Sequence, residues 1–296
     1  MLFARFLIAL FLAVFALPAQ AQQVGGPRFD ERITIPNFWD PQQRFIKPNI
    51  KGLQRLRFLT TTDFPPFSFI DSDKRLVGFH VDLARAICEE LDVLPVCQIQ
   101  ALPFEDLETA LLGGRGDLVM AGLAVTAERR AKMAFSRPYF RLPARFIVRQ
   151  DMASGPSLPQ TLVNKPVAIV DGTAHAAFAR ASFGTMQLRL FETQNRALQA
   201  LQRKEVEAVF GDGLSLARWL QTEQARLAQN DEAATLCCRL AGEPYLAPAY
   251  FGTGLTIAMA PGNFELENAI NFALRSISDK GKFGELYLRY FPIGLF

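Results

Sequence analysis

Apolar positions along the chain follow two periods, near two residues and near 3.6 residues, the signatures of strand and helix. In "LRFLTTTDFPPFSFID", Leu56, Phe58 and Thr60 alternate as a strand that Pro65 and Pro66 stop, leaving Phe64, Phe67 and Phe69 around a turn. The next segment, "GFHVDLARAICEEL", spaces Val81, Ala84 and Ile87 as one face of a helix. Two later segments repeat the order strand, turn, helix: "PVAIVDGTAHAAFARASF" and "GLTIAMAPGNFELENAINFALRSI". That alternation predicts an α/β fold.

A near repeat organises the pattern further. "LETALLGGRGDLVMAG" (Leu107 to Gly122) and "ALQALQRKEVEAVFGD" (Ala197 to Asp212) each read as a helix, a short polar turn and an apolar strand, offset by 90 residues, with Asp117 opposite Glu207. Two such units predict two similar α/β lobes, each with a parallel sheet.

The N-terminus departs from this pattern. One early Arg5, an apolar run from Phe6 to Leu17 and the small-x-small triplet Ala19, Gln20, Ala21 predict a secretory signal peptide over residues 1–21. The run is shorter than the ~20 residues a membrane span needs. Residues 22–52 carry Pro, Gly and charge without a period and read as an extended leader. Removing residues 1–21 leaves 296 − 21 = 275 residues, enough for two lobes of roughly 100 residues or one larger fold.

Charge changes the picture little. Without Arg5 the formal balance is 31 − 29 = +2, which gives no reason to expect nucleic acid or an acidic polymer as partner. The four cysteines, Cys88, Cys97, Cys237 and Cys238, allow three pairings in an oxidising compartment. A Cys88–Cys97 bridge would tie the predicted helix to the next strand. The adjacent Cys237 and Cys238 could pair or stay reduced. With the only histidines scattered at His80 and His175, no metal site and no cofactor is expected.

Ligands of parallel α/β sheets bind beyond the carboxyl ends of strands. Standing there are Phe64, then Gly122, Ala124 and Arg129, then Asp171 to Ala174, then Gly211, Asp212 and Gly213. Taken singly these are ordinary: a surface cation, a turn aspartate, core phenylalanines; His80 reads as a surface residue and His175 as a helix-start side chain. Taken together they offer a guanidinium and helix-start amides for a carboxylate, and an aspartate for an ammonium. An α-amino acid satisfies the set.

The segments "DFPPFSFIDSDKRLVGFHVDLARAI", "PFEDLETALLGGRGDLVMAGLAVTAERRAKMAFSRPY", "DGTAHAAF", "VEAVFGD" and "LRSISDKGKFGELYLRYF" resemble, in order, the amino-acid-binding periplasmic solute-binding proteins of ABC importers, bacterial extracellular solute-binding family 3. The resemblance implies the two-lobed periplasmic binding protein fold (type II), with lobe 1 at 53–140 plus 252–296, lobe 2 at 141–251 and two crossover strands. It implies a monomer in the periplasm that takes one amino acid in the cleft and delivers it to a membrane permease. On that pattern Arg129 clamps the α-carboxylate and Asp212 the α-ammonium. The Gly122 backbone meets the ammonium, the amides of Ala124 and Ala174 meet the carboxylate, and Phe64 and Phe104 hold the side chain. Cys88 and Cys97 resemble a disulfide found here in some members. Many members carry Ser or Thr where Ala124 and Ala174 stand. Thr61 occupies the place of an Asp in binders of basic amino acids, which points to a neutral side chain. The alternative implied by the same fold is a periplasmic enzyme of the cyclohexadienyl dehydratase kind. It would need a cleft carboxylate as general acid or base, and Asp212 is already engaged in the binding role. A sensor or accessory protein feeding another periplasmic system is a third reading.

Overall fold

Leu56, Phe58, Leu59 and Thr60 are all buried, so β1 (Leu56–Thr60) is a central strand covered on both faces rather than a half-buried alternating one. In the computed structural model, which describes residues 36–40, 42–50, 52–152, 158–229 and 236–296, the chain then makes β2 (Asp63–Phe64), β3 (Ser68–Ile70), β4 (Leu76–Val77) and α1 (Phe79–Glu90). β5 (Cys97–Ala101), α2 (Leu107–Leu112), β6 (Leu118–Val119), α3 (Ala127–Lys132) and β7 (Ala134–Phe135) follow. Next come β8 (Ala144–Arg149), α4 (Leu158–Thr161), β9 (Pro166–Val170), α5 (Ala174–Ser182), β10 (Gln187–Phe191) and α6 (Gln194–Gln202). The chain continues through β11 (Ala208–Asp212), α7 (Gly213–Gln229), β12 (Cys238–Tyr245), α8 (Pro248–Phe251), β13 (Ala258–Met259), α9 (Phe264–Asp279) and α10 (Lys282–Tyr290). The predicted signal peptide and leader residues 22–35 lie outside the described residues.

Two five-stranded sheets result, in the orders β5-β1-β6-β13-β7 and β10-β9-β11-β8-β12, with β2, β3 and β4 forming a small antiparallel sheet beside the first. β1 runs parallel to β5 and β6, and β9 runs parallel to β10 and β11. The expectation of two purely parallel sheets is corrected, because β13 and β7 in the first sheet, and β8 and β12 in the second, pair antiparallel. β7 and β8 flank one crossing between the sheets and β12 and β13 the other, and in each sheet a single strand, β13 or β8, runs against the rest. The crossings pair with each other: Tyr139 N–H donates to the Leu255 carbonyl at 3.0 Å and Leu255 N–H to Phe140 at 2.7 Å.

The internal repeat survives in the backbone. The turns after α2 and α6 place Gly114 (φ 68°) and Lys204 (φ 62°), 90 residues apart, in the same left-handed conformation, which glycine adopts freely and lysine does not. Each turn ends in an acid held by an arginine of a neighbouring strand: Asp117 takes the Arg57 guanidinium at 2.9 Å, and Glu207 takes Arg149 at 2.8 Å.

One hydrophobic cluster takes in residues of both sheets, among them Phe58 and Leu118 of the first and Ile147 and Val209 of the second. Phe140, on the first crossing, is fully buried against Phe67, Phe79 and Phe291, with ring centroids 5.2, 5.6 and 4.9 Å away. The tail after α10 adds a tie, since buried Arg145 of β8 donates to the Leu295 carbonyl at 2.7 Å and to Gly242 at 3.0 Å. The leader is less loose than its composition predicts. Trp39 and Ile50 are buried in the first core, and Arg275 of α9 donates to the Asp40 carbonyl at 2.8 Å, so a few apolar anchors hold a segment that has no period. Cys88 and Cys97 are joined (S–S 2.01 Å), linking α1 to β5, and the adjacent Cys237 and Cys238 are joined to each other.

Candidate functional site

α3 starts at Thr126, whose hydroxyl accepts the Arg129 N–H at 3.2 Å and so fixes the first turn. The Arg129 side chain turns back over the preceding loop. Its Nη1 donates to the Ala124 carbonyl at 3.2 Å and its Nε to the Glu108 carboxylate of α2 at 3.1 Å. Of five guanidinium N–H groups, these use two, and the other three, on Nη1 and Nη2, bond no described residue. Gly122 in the same loop has φ 75°, and a Cβ there would lie 3.0 Å from the Phe64 ring, so the loop and that ring pack directly only because the residue is glycine. Phe64, Gly122, Ala124 and Arg129 are thus one contiguous group at the ends of β1 and β6. Phe104 stands at the entry to α2 with 43% of its surface exposed, more than a core phenylalanine retains.

On the other sheet, Asp212 ends β11 and its Oδ1 accepts the Ser215 N–H at 2.7 Å, opening α7. Ala174 is the exposed first residue of α5, after Thr173, which caps the helix by accepting from Ala176 N–H at 3.1 Å. His175 stacks on Phe251, centroid distance 4.9 Å, and feels the Asp212 charge, which opposes the lowering of its pKa by burial. The seven predicted residues therefore fall in two groups, one per sheet. Arg218, six residues along α7 from Asp212, donates to the carbonyl of Pro65, next to Phe64, at 2.8 Å, so one hydrogen bond links the elements that carry the two groups. A cavity of about 280 Å³ beside that bond, lined by Pro65, Arg218, Tyr290 and Leu295 among others, includes none of the seven.

The expectation that His80 is a surface residue is corrected. It is 1% exposed, its Nε2 lies 2.7 Å from the Tyr139 hydroxyl, and its ring packs on Phe67 and Phe64 at 4.8 and 5.9 Å. The second position of α1 is covered by Phe64, Phe67 and Tyr139, residues that lie outside the helix and leave no mark in its own period. Burial lowers its pKa from 6.5 to about 3, with the Met120 carbonyl opposing, so the ring beneath Phe64 is neutral at pH 7. Thr61 is also buried, and its hydroxyl has no hydrogen-bond partner among the described residues.

Two features of the site were not read from the sequence: the His80–Tyr139 pair and Glu108. The repeat carried a signal for the second. Ninety residues on from Glu108 stands buried Leu198, so an acid at that register position is out of place unless a cation needs it. Among the described residues no group of three or more His, Cys, Asp or Glu side chains is placed to hold a metal, and no helix is long and apolar enough to cross a membrane.

The family model for bacterial extracellular solute-binding proteins, family 3, matches residues 56–293. The chain is similar to an Escherichia coli (strain K12) protein named "Putative ABC transporter arginine-binding protein 2", 32% identical over 238 residues that cover 80% of this chain and 91% of that one. Its fold is like that of the L-cystine solute receptor of Neisseria gonorrhoeae in its unliganded open conformation (TM-score 0.65, 21% identity, 81% of this chain and 94% of that one). It is also like that of an ancestral cyclohexadienyl dehydratase (TM-score 0.61, 22% identity, 81% and 93% covered). These two likenesses concern the fold alone.

Proposed function

The chain belongs to the bacterial extracellular solute-binding proteins of family 3, and from that premise we propose that it captures one amino acid and delivers it to the permease of an ABC importer. Lobe 1 is 53–140 with 252–296, lobe 2 is 141–251, and the lobes close on the ligand as a monomer in the periplasm, where a signal peptide over 1–21 directs it. The observation that carries this reading is the Arg129 guanidinium, fixed beside the Gly122–Ala124 loop with three N–H groups unspent. Arg129 takes the α-carboxylate, aided by the amides of Ala124 and Ala174. Asp212, with the Gly122 backbone, takes the α-ammonium, so only the bound state joins the two groups and ligand binding favours closure.

The ligand side chain is neutral in this reading. It enters between Phe64 and Phe104, and what supports its neutrality is that Thr61 carries a hydroxyl, and the His80 ring packed on Phe64 is neutral, where a cation would call for a carboxylate. A cationic ligand is the second reading, favoured by the arginine named for the Escherichia coli relative. A dehydratase reading has only fold likeness behind it.

A thermal-shift screen separates these. Residues 22–296, refolded to free them of carried-over ligand, are tested against the neutral amino acids, L-arginine, L-lysine and small carboxylates. A neutral amino acid such as L-glutamine should stabilise the fold by about 2.7 kcal/mol at a hundredfold excess over its dissociation constant. A shift with L-arginine or L-lysine alone overturns the neutral assignment, and no shift with any amino acid overturns the capture reading.

A further inference from the structure

An arginine binds a carboxylate through two parallel hydrogen bonds from its planar guanidinium, and the long flexible side chain that carries the group loses less entropy on binding when something already holds it in place. Glu108 supplies that hold. It lies in the first turn of α2, 28% exposed in its side chain, and its Oε2 accepts from Arg129 Nε at 3.1 Å while the Ala124 carbonyl accepts from Nη1 at 3.2 Å. The contact is made on the inner edge of the guanidinium. A ligand carboxylate would take N–H groups among the three that remain, one on Nη1 and two on Nη2. The counterpart of Glu108 in the repeat is buried Leu198, so the repeat pattern by itself does not call for an acid at this position.

We propose that Glu108 is a positioning residue for ligand recognition: it anchors the Nε edge of Arg129, so that the terminal nitrogens meet the α-carboxylate of the incoming amino acid already oriented. The inference rests on the reading of Arg129 as the carboxylate clamp. Glu108 touches no ligand; it acts through the arginine.

Calorimetric titrations of the full mature chain with L-glutamine, L-arginine and their α-amides test it, in wild type, Glu108→Ala and Glu108→Gln. Alanine removes the anchor, and the amino acid that wild type binds should lose about tenfold or more in affinity, the scale of one hydrogen bond to a charged group. Its α-amide, which lacks the carboxylate, should lose far less, so the preference for acid over amide shrinks. Glutamine at this position still accepts from Nε and should restore most of that preference. A purely structural role would weaken acid and amide alike and would lower the melting temperature of the unliganded variant. Unchanged or tighter binding in both variants, or equal losses for acid and amide, overturns the proposal while leaving the clamp standing. If wild type binds acid and amide equally, the clamp reading itself fails and this inference with it.

Discussion

Replacing Arg129 with alanine will cost the protein its ligand, by roughly 2 to 5 kcal/mol of binding free energy, or about 30-fold to several thousandfold in dissociation constant. The size follows from what is left behind. In the proposed site a carboxylate drawn between closing lobes loses its water, and without the guanidinium the backbone amides of Ala124 and Ala174 are left to replace it. Neither alanine has a hydroxyl to add, so in the proposed site the arginine has little backup. The loss should not be a folding defect. Arg129 and Glu108 are 26% and 28% exposed in their side chains, and a partly exposed pair contributes about 1 kcal/mol at most. Calorimetry of the variant beside an unliganded melting curve distinguishes lost recognition from lost fold; full-strength binding by Arg129→Ala refutes the clamp.

The second large effect is on stability against pH. His80 is neutral in the fold with a pKa of about 3, against an ordinary value of 6.5. Between those values the unfolded chain binds a proton that the folded chain refuses, so stability falls as pH falls. The contribution is complete above about pH 7, drops by about 2 kcal/mol at pH 5 and by about 4 to 5 kcal/mol near pH 3. Other groups titrate in that window, so the test is a difference. His80→Gln can still bond the Tyr139 hydroxyl and cannot titrate. Between pH 7 and pH 5 the melting temperature of wild type should fall further than that of the variant, by roughly 4 to 8 °C at the 2 to 4 °C per kcal/mol of a domain this size. Parallel curves would show that the buried imidazole carries no such linkage.

Much of the fold was legible because the informative signals were local. The helices of "GFHVDLARAI" and "ALQALQ" and the 90-residue repeat were set by period and turn chemistry, and the left-handed turns at Gly114 and Lys204 keep the repeat in register. The antiparallel pairings escaped because strand direction is decided by pairing across the chain, not by a strand's own sequence, whether the strand is two residues long like β7 and β13 or six and eight like β8 and β12. The leader misled for the converse reason, since Trp39 and Ile50 anchor it through contacts far away in sequence. At the candidate site, Gly122, Ala124 and Arg129 lie within eight residues and could be read as one loop and cap. His80 could not, because its burial depends on Phe64, Phe67 and Tyr139, which lie outside its helix. Glu108 stands 21 residues from the arginine it holds, and only the mismatch with Leu198 marked it.

The claim on which the rest stands is that one molecule carrying an α-carboxylate and an α-ammonium is held by both groups at once. Calorimetry of the wild-type mature chain with its amino acid, the α-amide and the des-amino acid tests that directly. One site per chain is expected, with a loss of about a hundredfold or more for each analogue, since each leaves one buried charge without its partner. Binding of either analogue as tightly as the parent amino acid would contradict it.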